Sequence, residues 1–67
     1  MVYPSTTYHV VPERGHWTVQ EERDATTVTT CAEKESALRV GRELARSRHG
    51  ALVVHRDDGS VVAEHRY

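Results

Sequence analysis

The stretch that decides the fold of this 67-residue chain is Ala51-Leu52-Val53-Val54-His55-Arg56, Asp57-Asp58-Gly59, Ser60-Val61-Val62-Ala63-Glu64-His65-Arg66-Tyr67. Asp58-Gly59 between two β-branched runs reads as a hairpin with a two-residue type I′ turn, which needs φ > 0 at both central positions. Each run holds adjacent apolar residues, so both faces of the hairpin are partly apolar in either register. A two-residue turn groups Leu52, Val54, Val61 and Ala63, leaving Val53 with Val62. A three-residue Asp57-Asp58-Gly59 loop groups Val53, Val61 and Ala63, leaving Leu52, Val54 and Val62. One helix covers one face. The other calls for a partner, most simply a second copy of the chain.

Outward from the hairpin, the sequence reads as a series of short elements. Residues 1–7 are a polar, flexible lead, and residues 8–67 form a single small domain. Tyr8-His9-Val10-Val11 reads as a strand stopped by Pro12, and Pro12-Glu13-Arg14-Gly15 as a tight connection. From His16 onward Trp17 and Val19 alternate with Thr18 and Gln20, as in a half-buried strand. Glu21-Glu22-Arg23-Asp24 is a charged turn, and Ala25 to Thr29 suits an edge strand. Thr30-Cys31-Ala32-Glu33 fits a capping box. Ala37, Leu38, Val40, Gly41, Leu44 and Ala45 then recur at helical spacing, and Gly50 reads as the C′ residue that ends the helix. The expected fold is α+β in the order ββ-β-α-ββ: an antiparallel sheet of about five strands with one helix on one face. Trp17 and Val19, with Leu38 and Leu44 from the helix, are the expected bulk of the core.

The length allows one core, of marginal stability unless something adds to it. The single cysteine, Cys31, forbids an internal disulfide, which leaves oligomerisation as the favoured aid. The formal net charge of −1 lacks the basic excess of a module that binds nucleic acid by neutralising phosphates. No apolar run approaches the roughly 18 residues of a membrane span. No signal peptide is visible, so a cytoplasmic location is expected.

Tyr8-His9-Val10-Val11-Pro12 and Gly15-His16-Trp17-Thr18-Val19 open a longer pattern. It continues through Thr30, Ala37, Arg42-Glu43-Leu44-Ala45, Leu52-Val53-Val54-His55, Asp58-Gly59 and the closing Tyr67. In order and spacing this resembles a family of small bacterial proteins, domain of unknown function 2188, over residues 8–67. The resemblance implies a small soluble protein and carries no activity with it. His16 stands between the glycine and the tryptophan, where the family often joins them directly.

The chemistry-bearing residues read as ordinary surface or core. If the first hairpin closes over residues 12–15, Val11 lies opposite His16 and His9 is its same-face diagonal neighbour. Two histidines fall short of the four ligands of a structural zinc site, and no metal or cofactor is expected. Cys31, near the expected helix start, has no histidine paired with it locally and reads as a small packed residue. Arg39, Arg42 and Arg46 lie on one helical face at i, i+3 and i+7, shared with Glu35 and Glu43 in the manner of a solvated helix. There is no phosphate loop, nucleophile elbow or paired metal histidines on a helix, so an enzyme is not expected. The leading expectation is a non-enzymatic, self-associating interaction module, a homodimer through Val53, Val62 and Val11 on the helix-free face, or through a strand edge. The alternative is a DNA-binding module using the sheet face or Arg39, Arg42 and Arg46, with Arg56.

Overall fold

The computed structural model describes residues 6–67. The elements are β1 (Thr7–Glu13), β2 (His16–Glu21), β3 (Thr26–Cys31), α1 (Lys34–Ser47), β4 (Ala51–His55) and β5 (Val61–Arg66). They form one five-stranded sheet in the order β3-β2-β1-β4-β5, with α1 laid on β1 to β4. The expected α+β class and one-helix, five-strand content are met, but the sheet is mixed. β1 and β4 run parallel, with Thr7, Tyr8, His9 and Val10 opposite Ala51, Leu52, Val53 and Val54. The reason is the helix length. Fourteen residues rise about 21 Å, close to the length of a six-residue strand. The helix therefore carries the chain back to the end at which β3 began, and β4 must run in the direction of β3 and β1.

Strand alternation gives the sheet one face toward the helix. Tyr8, Val10, Val19, Leu52 and Val54 point there and form the core with Ala37 and Ala45. The helix presents small residues at its closest approach, since Ala37, Gly41 and Ala45 are its buried positions. A Cβ on Gly41 would stand 2.7 Å from Leu52 Cδ1 and 3.2 Å from Val10 Cγ2, so the glycine sets the distance between the layers. Trp17, Leu38 and Leu44, expected as the bulk of the core, pack around its margin and stay half-buried.

Several local expectations are corrected. The first hairpin closes on Glu13 and His16 through the two-residue turn Arg14-Gly15, at φ 49° and 85°. The type I′ geometry expected at Asp58-Gly59 is therefore found here. Pro12 does not stop β1; it sits opposite Trp17, beyond Val10, where pairing with β4 has ended. Thr30 and Cys31 belong to β3, opposite Thr18 and Trp17. The helix starts at Lys34 behind an extended Glu33, with no side-chain cap. At the far end His49, not Gly50, takes the left-handed conformation (φ 49°), and the Gly50 amide donates to the Ala45 carbonyl at 2.8 Å. Gly50 is needed for space, because a Cβ there would fall on the Thr6 carbonyl. Of the expected flexible lead, Thr7 begins β1 and the Thr6 carbonyl accepts from the Ala51 amide at 3.0 Å. Residues 1–5 lie outside the described residues.

The second hairpin combines the two registers left open by the sequence. Gly59, at φ 89°, donates from its amide to the Arg56 carbonyl, and the Arg56 amide donates to the Ser60 carbonyl, each at 2.9 Å. This is the three-residue Asp57-Asp58-Gly59 loop, which sets His55 opposite Val61. A bulge at Val62 then moves the register by one, so Val54 meets Ala63 and Val53 meets Glu64, as a two-residue turn would have set them.

Candidate interaction surfaces

Alternation along β1, β2 and β4 turns His9, Val11, Thr18, Gln20, Val53 and His55 to the face without the helix. Most of its cover is polar and comes from within the sheet. Thr18 is buried, donating from Oγ1 to the Val11 carbonyl at 3.4 Å and accepting from Gln20 Nε2 at 3.1 Å. Val53 is only 8% exposed, so the residue expected to lead self-association has little surface left to offer. Val11 is half-buried on the same face, while Val62 is exposed on the β5 bulge.

The centre of this face holds a side-chain cluster that sequence reasoning missed. His9 Nδ1 lies 2.7 Å from His55 Nε2. That approach is closer than rings stacked face to face can come; with centroids 5.0 Å apart and planes at 28°, the two imidazoles meet nearly edge to edge. His9 Nε2 lies 2.9 Å from Glu22 Oε1, and His55 Nδ1 lies 3.0 Å from the Gly59 carbonyl oxygen. Glu22 is held in place because its own amide donates to the Thr7 carbonyl at 2.9 Å. His9, Val11, Gln20, Glu22 and His55 line a shallow hollow of about 250 Å³. The expected neighbour of His9 was His16. The Arg14-Gly15 turn instead sets His16 opposite Glu13, and the parallel register of β1 and β4 brings His55 to His9. Among the described residues no group of three or more His, Cys, Asp or Glu converges as a metal site.

The sheet has two outer strands. β3 reads Thr-Thr-Val-Thr-Thr-Cys and holds no charged side chain. A bulge between the Val19 and Gln20 pairings leaves Val28 unmatched and 46% exposed. β5 ends in Glu64, His65 and Arg66, with Glu64 accepting from Arg66 at 3.1 Å. Its loop is pinned by Asp58, which accepts from the Ser60 hydroxyl at 2.6 Å and the Ser60 amide at 2.9 Å. Those two hydrogen bonds hold the Asp58 carboxyl below its ordinary value of 3.8.

Arg39, Arg42 and Arg46 are exposed on the helix, and among the described residues only Arg46 of the three has a carboxylate within reach, Glu43 at 3.7 Å. Arg56 lies apart from them in the β4–β5 loop, beside Lys34 and Trp17. The ammonium of Lys34 stands 5.6 Å from the centre of the Trp17 ring. Cys31 closes β3 opposite Trp17 rather than opening the helix. No helix among the described residues is long and apolar enough to cross a membrane.

No curated protein and no solved structure matches the chain. One family model does, over residues 8–67. The chain belongs to the family described as an uncharacterized protein conserved in bacteria (DUF2188).

Proposed function

We propose that this protein is a non-enzymatic interaction module of the cytoplasm that pairs with a second copy of itself through the outer edge of β3. The supporting observation is the chemistry of that edge. A strand at the end of a sheet offers a row of unpaired amides and carbonyls, which proteins ordinarily guard with charge. Six residues, four of them threonine, carry no charge here. In antiparallel self-pairing about the strand centre, Thr26 meets Cys31, Thr27 meets Thr30 and Val28 meets Thr29. Every such pair is uncharged, and two of the three are between β-branched residues, which favour strand pairing. Val53 is too enclosed for the face-to-face dimer the sequence favoured, so the edge is the better surface.

The test is sedimentation at micromolar concentration. Wild type should show a two-chain mass, and Val28→Lys, which sets a charge on the exposed bulge, should show one chain. A single-chain mass for wild type, or no change on Val28→Lys, overturns the edge pairing.

A second reading rests on Arg39 and Arg42, which have no ion-pair partner among the described residues. With Arg46 they offer three cations to a phosphate backbone. Binding to duplex DNA at low salt, weakened by substituting all three, supports it; no binding at low salt removes it, since electrostatic binding is strongest there.

A further inference from the structure

We infer that His9 and His55 form a site for a single shared proton, which latches the β2–β3 turn and the β4–β5 loop to the centre of the sheet. The inference follows from counting hydrogens. The Gly59 carbonyl and the Glu22 carboxylate only accept. His55 Nδ1 must therefore carry a hydrogen toward Gly59, and His9 Nε2 one toward Glu22, at 3.0 Å and 2.9 Å. That leaves His9 Nδ1 and His55 Nε2 facing each other at 2.7 Å, a distance that calls for one hydrogen between them and no more. The two rings then share three hydrogens and one positive charge, next to Glu22.

This arrangement fails in both directions of pH. A fourth proton sets two N–H donors head-on at the central contact, with two like charges. Removal of the shared proton sets two lone pairs against each other, or reverses a ring and costs the bond to Glu22 or Gly59. The latch is therefore complete only in the pH window over which the pair holds its single shared proton. The other charged groups around it are already engaged or distant. Glu21 accepts from the Arg23 and Asp24 amides, Glu64 pairs with Arg66 on the same face, and Asp58 is held by Ser60. Arg56 and Asp57 sit in the loop that His55 anchors, and α1 lies on the opposite face. A transition-metal ion fits the pair poorly. Nitrogen–metal bonds of about 2.0–2.1 Å in a tetrahedral site need the nitrogens well over 3 Å apart.

The experiment is imidazole nitrogen NMR of the full chain near neutral pH, with a pH series of thermal midpoints. The expected spectrum shows three protonated ring nitrogens and a coupling across the His9 Nδ1–His55 Nε2 bond. The thermal midpoint should peak in the window and fall on either side, and His55→Gln should abolish both the coupling and the peak. Glu22→Gln, on the exposed turn, keeps the fold testable. Loss of its charge should move both limbs of the profile to lower pH. Two rings that each carry one hydrogen and titrate independently, or a profile unmoved by Glu22→Gln, overturn the shared proton. So does stoichiometric zinc shifting only these two rings at neutral pH, which would make the pair a metal site.

Discussion

The two outer strands of the sheet, β3 and β5, are alike in length and construction. Each has six residues, each carries one bulge, and each bulge pushes a valine outward, Val28 in β3 and Val62 in β5. They differ in charge and in cover. β5 ends in Glu64, His65 and Arg66, and Ala63 is its one residue packed on the core. β3 has no charge, yet it lies under α1 and sends Cys31 into the margin of the core. Bulges and charge both guard an edge, and β5 carries both where β3 carries only a bulge. By that rule β5 is built to stay solvated, and β3 is built to be held in place while its outer side remains free.

The largest expected effect comes from damaging the frame that both edges share. Gly41→Val sets two methyl groups against Leu52 and Val10, both fully enclosed. Overpacking of this kind costs about 1–3 kcal/mol, and the loss of a helix glycine returns only part of it. Urea denaturation should show the midpoint fall, and an unchanged midpoint would mean the helix does not set the sheet spacing. A sharper probe exchanges the two bulge valines. Val28→Lys should lower the associated mass, whereas Val62→Lys should leave it unchanged, with both variants within about 0.5 kcal/mol of wild-type stability as exposed sites. Equal loss of mass in the two would erase the distinction between the edges.

The smallest effect concerns the loop that leads into β5. The Asp58 carboxyl is held below 3.8 by Ser60, so the stability it lends is full above that value and is lost as pH falls through its lower folded value. NMR titration should give a midpoint below 3.8, rising part of the way toward it in Ser60→Ala, which loses the hydroxyl and keeps the residue-60 amide. A midpoint at the ordinary value in wild type would show that the loop is not pinned as described.

Much of this fold is legible in the residues, and the parts that are not have specific causes. Alternation of Trp17 and Val19 with Thr18 and Gln20 marks β2, and the spacing of Ala37, Gly41 and Ala45 marks the buried face of α1. The parallel pairing of β1 and β4 is invisible to such patterns, because it follows from helix length and the direction in which the chain returns. Thr30-Cys31-Ala32-Glu33 satisfies a capping pattern, but partners on β2 claim Thr30 and Cys31 first. Val53 reads as a contact residue and proves enclosed by its own sheet. His9 and His55 stand 46 residues apart, so only the strand register that the sequence withheld brings them together.

The pairing of two copies through β3 is tested most directly by amide hydrogen exchange across a dilution series. Protection of the Thr26–Cys31 amides should rise with protein concentration while that of Val61–Arg66 stays constant. Protection in β3 that is independent of concentration, or a rise confined to β5, would contradict it.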